Sequence, residues 1–201
     1  MKTTIEYRNR TFKIDLSQPI DISMPIRGTK ANVTAWYVNP PEFTPVMENG
    51  FIGDVNLGGA VNFRNIFFNP HGHGTHTECV GHISKEPYTI NQCLKRFFFY
   101  AKLVTINPYN VNGDSVITLE QIKKVWNNNE ADAIIIRTLP NSDQKLTKQY
   151  SNTNPTYIHH EAMQYLVDNG VEHFLIDMPS VDRENDEGKL LAHHVFWNYP
   201  E

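Results

Sequence analysis

The sequence has no hydrophobic run that approaches the roughly 20 residues of a membrane-spanning helix. Its first residues, Met1–Arg8, lack the apolar core of a signal peptide. Two cysteines, Cys79 and Cys93, are too few for a disulfide framework. There is no basic run and the formal net charge is −4, a composition that favours neither nucleic-acid nor membrane binding. We therefore expect a cytoplasmic protein that binds neither nucleic acid nor membrane.

The length of 201 residues fits one domain, and since no repeat or linker divides the chain we predict a single domain over residues 1–201. Strand-like runs of apolar residues occur at Thr11–Leu16, Ala60–Phe68, Phe97–Ile106, Ala133–Arg137 and His173–Asp177. The region from Pro19 to Gly59 is rich in glycine and proline and is predicted to form long loops.

Two helices are predicted, and each is followed by a strand. The first begins near Thr118, which forms a capping-box pattern with Gln121. The second covers about residues 160–169, and Gly170 is placed to end it. This alternation of helix and strand predicts a mixed α/β domain with some parallel strand pairing.

The stretch Asn69–His82 follows a strand-like run and contains four histidines and one carboxylate. Imidazole and carboxylate groups are ligands that zinc and manganese accept. His76 and Glu78 are two residues apart, so in extended backbone they project to the same side. His82 lies four residues beyond Glu78 and can face a metal-bound water without being a ligand. The spacing matches neither a zinc finger nor the His-Glu-x-x-His helix of zincins, so a metal site of another type is predicted.

The stretch His71–His82 resembles the signature of the cyclase family, His-x-Gly-Thr-His-x-Asp-x-Pro-x-His. That family includes bacterial kynurenine formamidases and isatin hydrolases. Further segments resemble other parts of the family in the same order along the chain: Asp15–Ile20, Ala133–Thr138, Glu161–Gly170 with Ile176–Asp182, and Ala192–His194. The resemblance implies an α/β fold, a single mixed-sheet domain of the swivelling β/β/α type.

The sequence departs from the family pattern at several points. Glu78 stands where the family has aspartate, and Val80 where it has proline. The first histidine is displaced by one residue, so that either His71 or His73 takes its place, and we favour His71 because it follows a proline as the family histidine often does. The family also has a metal-binding glutamate after the late histidine, so we expect the domain to be C-terminally incomplete here, without the C-terminal strand and, unless Glu201 reaches the site, without that ligand.

The resemblance implies an enzyme, an arylformamidase-like hydrolase that uses metal-activated water to cleave a C–N bond of a small formamide, amide or lactam-like substrate. It implies one or two divalent ions, zinc or manganese, and a homodimer. By this resemblance His71, His76 and Glu78 hold one ion, and Glu78 bridges to a second ion held by His193 or His194. The implied catalytic residue is His82, which transfers the proton.

Two other functions remain open from the sequence. One is a dehydratase or cyclase that acts on a different carbonyl substrate, and the other is a metal-binding or ligand-binding protein without turnover. The roles of Asp177, Ser180 and Asp182 are also open. They follow a predicted strand, where α/β folds commonly place sites, but they also fit a local Asx or Ser turn.

Overall fold

The computed structural model describes residues 1–200, so Glu201 lies outside the residues that the structure describes. The first half of the chain is built from short antiparallel ribbons. The amino-terminal hairpin consists of β1 (Lys2–Tyr7) and β2 (Arg10–Asp15). A second ribbon pairs β3 (Glu42–Pro45) with β6 (Arg64–Phe67), and between them lies the small hairpin of β4 (Met47–Glu48) and β5 (Phe51–Ile52). Two single-turn helices follow, α1 (Pro70–His73) and α2 (Ile90–Cys93).

The second half contains the central parallel sheet. Its strands, in spatial order, are β12 (His173–Ile176), β10 (Ala133–Thr138) and β7 (Ala101–Ile106). A smaller mixed sheet is formed by β8 (Tyr109–Val111), β9 (Asp114–Ile117) and β11 (Tyr157–Ile158). The longer helices are α3 (Leu119–Val125), α4 (His160–Asp168) and α5 (Leu191–Trp197).

The main core lies between the central sheet and these three helices. Ile134 and Ile136 of β10 are almost completely buried, as expected for the central strand of a parallel sheet that is covered by helices. They share one apolar cluster with Ile122 of α3, Leu166 of α4 and Ala192 of α5. Because α5 is anchored in this core, the residues on its first turn have fixed positions relative to the sheet.

The α/β class and the parallel pairing predicted from the sequence are confirmed, as are both helix starts. Thr118 and Gln121 form the predicted capping box at α3. Gly170 follows α4 with φ of 83°, a conformation that favours glycine. No helix within residues 1–200 is long and apolar enough to cross a membrane.

Some strand and loop predictions are wrong. In the run Phe97–Ile106 the strand begins only at Ala101, and the side chains of Phe97 and Phe98 are exposed. The run Ala60–Phe68 forms a strand only over Arg64–Phe67. The predicted loop region from residue 19 to 59 contains β3, β4 and β5, three strands too short to give a clear alternation of apolar and polar residues.

Candidate metal centre

A single helical turn places the first histidine of the motif. The side chain of Asn69 accepts a hydrogen bond from the backbone N–H of Gly72, and Pro70 occupies the first helical position, where its missing N–H costs nothing. This turn directs His71 towards Glu78, with 2.6 Å between His71 Nδ1 and Glu78 Oε1.

His73, on the same turn, points into the protein and away from this cluster. It is fully buried, and both of its ring nitrogens are hydrogen-bonded. The backbone N–H of Asn69 donates to Nδ1 at 2.8 Å, so the proton is on Nε2, which donates to the carbonyl oxygen of Asn39 at 2.7 Å. His73 therefore has no free nitrogen for a ligand in this arrangement.

The carboxylate of Glu78 is the point on which four imidazole rings converge. Besides His71, His76 places Nε2 3.1 Å from Oε1, and His82 places Nε2 3.8 Å from the same oxygen. His193 approaches the second oxygen, Oε2, at 3.6 Å. Ligand atoms of His71, Glu78 and His82 all lie within 4.8 Å of one another, a spacing compatible with a shared metal ion.

His76 is held in an orientation suited to ligation. Its Nδ1 lies 2.9 Å from the carbonyl oxygen of Gly74, to which it donates its proton. When the ring is neutral, the lone pair is then on Nε2, the nitrogen that faces Glu78. A backbone carbonyl that fixes the tautomer in this way is a common outer partner of metal-binding histidines.

His82 is placed by a tight loop that packs against the backbone of Tyr88. The loop forms a 3-10 turn over Val80–His82, and a Cβ atom on Gly81 would lie 1.9 Å from the carbonyl oxygen of Tyr88. Only glycine allows this close backbone approach. The His82 ring is stacked on that of His71 with 4.5 Å between centroids, and it lies 6.4 Å from the ring of Trp197.

His193 reaches the cluster from the first turn of α5 and is held by Asp182. The Oδ2 atom of Asp182 lies 2.6 Å from His193 Nδ1, so that Nε2 faces Glu78. Both His193 and Asp182 are buried. The histidine thus has a carboxylate on each side, one at each ring nitrogen.

These contacts shift the pKa values of the cluster. Burial acts to raise the pKa of Glu78, but hydrogen bonds from His193 and His76 outweigh it, and the pKa lies well below its ordinary range. Burial acts to lower the pKa of His193, but its bonds to Asp182 and Glu78 raise it to about 9. The bond to Glu78 also raises the pKa of His76, whereas burial lowers that of His82. His76 and His193 therefore hold a proton more readily than an ordinary histidine, and His82 holds one less readily.

Among residues 1–200, the cluster brings together all the site residues expected from the sequence. Of the two open pairs, His71 and His193 lie in the cluster, whereas His73 and His194 lie outside it. His193 is in the cluster, while His194 pairs its Nδ1 with the carbonyl oxygen of Tyr199. Asp177 is hydrogen-bonded to Thr138 and paired with Lys145. Ser180 Oγ accepts from the backbone N–H of Asp182, the local turn that the sequence allowed. The sequence does not predict the contact of Asp182 with His193, because the two residues are eleven positions apart and the short helix that carries His193 has no local sequence signal.

Comparisons with known proteins agree with this fold. The model of the Cyclase family, described as "Putative cyclase", matches residues 14–183. A comparison with curated proteins gives no match. The chain is similar to a solved structure described as a potential metal-dependent hydrolase with cyclase activity, with 16% sequence identity and a TM-score of 0.59. That match covers 87% of this chain and 75% of the other, and at this identity it establishes the fold alone.

Proposed function

The chain belongs to the Cyclase family, and we propose that it is a metal-dependent hydrolase that cleaves a C–N bond of a small formamide, amide or lactam-like molecule. The observation that carries the proposal is the convergence of four imidazole rings on the partly buried carboxylate of Glu78. The related fold described as a potential metal-dependent hydrolase supports the same class of reaction.

The chemistry of the donor set fits a divalent ion. Imidazole nitrogen and carboxylate oxygen are typical ligands of zinc and manganese, our two candidates. In our assignment His71, His76 and Glu78 would hold one ion, and Glu78 and His193 would hold a second. The hydrogen bonds that hold His76 and His193 at Nδ1 support this assignment because they leave Nε2 for ligation.

A divalent ion in this centre would supply a water of lowered pKa and polarise the substrate carbonyl. The residues of the chain have separate tasks around it. His82 is assigned the proton transfer, accepting a proton from the attacking water and donating it to the leaving nitrogen. Its Nε2 is the farthest of the four imidazole nitrogens from Glu78, and one face of its ring packs on His71. Burial of this ring favours its neutral form, which is the form that accepts a proton.

Metal content and turnover test the proposal together. Purified protein, His76→Ala and the control His194→Ala would be analysed for bound metal by mass spectrometry after loading with zinc or manganese. His194 is the matched control because it lies on α5 next to His193 but outside the cluster. We expect wild type and the control to bind metal and His76→Ala to lose it.

The loaded protein would then be screened against formamides, amides, lactams and, as a contrasting set, hydroxylated carbonyl compounds that can be dehydrated. Hydrolysis of the first set by wild type but not by His76→Ala is the expected result. Dehydration or cyclisation without hydrolysis would replace the proposal with the other reaction class. Equal metal content in wild type and His76→Ala would remove the metal centre.

A further inference from the structure

Asp182 has an environment that a surface turn residue would not have. Its carboxylate is buried and accepts three hydrogen bonds. The backbone N–H groups of Ala192 and His193 donate to Oδ1 and Oδ2 at 2.8 and 3.1 Å, and His193 Nδ1 donates to Oδ2 at 2.6 Å. One side chain therefore holds both the backbone and the ring of the same histidine.

The start of α5 depends on this long-range contact. Leu190, the residue before the helix, has φ of 43° and provides no side-chain cap. The carboxylate of Asp182 takes the place of a local cap by accepting the N–H groups of the first turn, where negative charge is favourable. The position of the helix start and the orientation of the His193 ring are thus set by one group.

We propose that Asp182 is a positioning residue that fixes the metal-binding form of His193. In the neutral ring it receives the proton of Nδ1, so the lone pair lies on Nε2, which faces Glu78. It also prevents rotation of the ring away from the cluster. This inference rests on the proposed metal centre and adds that metal affinity depends on a residue that does not touch the metal.

A double-mutant cycle tests whether Asp182 acts through His193. The four proteins are wild type, Asp182→Asn, His193→Ala and the double variant, and the measurement is the dissociation constant for zinc by competition with a chromogenic chelator. Asparagine is chosen because its side-chain oxygen can still cap the helix, whereas its charge is lost. We expect Asp182→Asn to weaken zinc binding by about 10- to 100-fold, as is typical for an outer partner of a metal-binding histidine.

The cycle separates a positioning role from a merely structural one. In the His193→Ala background the loss caused by Asp182→Asn should disappear, because the ring on which Asp182 acts is absent. An equal loss in both backgrounds, or no loss in the single variant, would overturn the inference. Ser180→Ala is the control, since it removes a hydrogen bond to the backbone of Asp182 and leaves its carboxylate intact.

A metal-free measurement keeps this inference distinct from the proposed function. Ring nitrogen chemical shifts of His193, recorded at a pH high enough for the ring to be neutral, report which nitrogen carries the proton. Wild type should show Nδ1–H, and Asp182→Asn should show a mixture, while the ring of His194 remains unchanged. If wild type binds no metal, the proposed function fails but this result still decides the role of Asp182. Should Asp182→Asn fail to fold, Asp182→Ser, which has a shorter capping group, takes its place in both experiments.

Discussion

Glu78 is the residue whose charge organises the centre. A carboxylate that is partly withdrawn from water is stabilised by nearby positive charge, and either protonated imidazole rings or a bound cation supplies it. Metal binding therefore competes with protons for the three rings assigned as ligands, those of His71, His76 and His193. The carboxylate lies between rings from two distant segments, with Oε1 near His71 and Oε2 near His193.

His82 is the residue to which we assign proton transfer, and its removal should affect turnover more than binding. We expect His82→Ala to keep its fold and its metal and to lose at least about 10²-fold in kcat, the usual contribution of general acid–base catalysis. Steady-state kinetics together with metal analysis would measure this. His194→Ala should behave as wild type. If His82→Ala loses metal in proportion to activity, His82 is a ligand instead.

His71 and His73 should respond to substitution in opposite ways. The side chain of His71 is 42% exposed, so His71→Ala should fold normally and lose metal. His73→Ala should keep the cluster but remove a fully buried ring and its two hydrogen bonds, which costs roughly 1–3 kcal/mol of unfolding free energy. Metal analysis and thermal melts would separate the two effects. Loss of metal from His73→Ala alone would show that the first ligand has been misassigned.

At the scale of elements, Asp114 joins β9 to the segment that carries Asp182. Its carboxylate accepts hydrogen bonds from Asn154 at 2.7 Å and Tyr157 at 3.0 Å, and it pairs with Arg183 at 2.8 Å. Burial acts to raise the pKa of Asp114, but these partners lower it below its ordinary value. The ion pair thus helps to place the chain just after Asp182.

The depressed pKa of Asp114 predicts how its contribution to stability depends on pH. A carboxyl whose pKa is lower in the folded state stabilises the fold above its unfolded pKa, near 3.9, and loses that effect as the pH falls through the folded value. We expect Asp114→Asn to lower Tm by a few degrees at pH 7 and by progressively less below about pH 4. Calorimetry across this range is the measurement. A difference in Tm that stays constant down to pH 2 would contradict the assignment.

The sequence predicts those elements whose signals are local. The capping box at Thr118, the glycine after α4 and the apolar run of β10 depend on neighbours in the chain, and all three are found in the structure. Helix α5 has no such signal, because its first turn is capped by Asp182 from a separate segment. Likewise, the local motif predicts the residues of the centre that lie between His71 and His82. The contact of His193 with Asp182 can be found only from the folded structure.

At the scale of the whole molecule, the chain exposes more surface than a folded monomer of its size. Its accessible surface is 13264 Å², compared with about 9,700 Å² expected for a monomer of this mass. Part of the difference is apolar: Phe63, Ile66 and Phe67, in or next to β6, are each more than half exposed. A two-stranded ribbon such as β3–β6 is marginal in water unless another surface covers it.

We therefore expect the homodimer implied by the family resemblance, with the β3–β6 ribbon in its interface. The difference of about 3,600 Å² is several times the ~800 Å² that each partner buries in a standard interface, and closed dimers are the commonest homo-oligomers. Ile66→Asp should shift the protein towards monomer in light scattering coupled to size exclusion, because it places a charge in an apolar interface. Ile20→Asp is the matched control, since Ile20 is 88% exposed in a loop outside the ribbon. A wild-type monomer at micromolar concentration, or an equal response of the two variants, would exclude this interface and leave the ribbon exposed for some other reason.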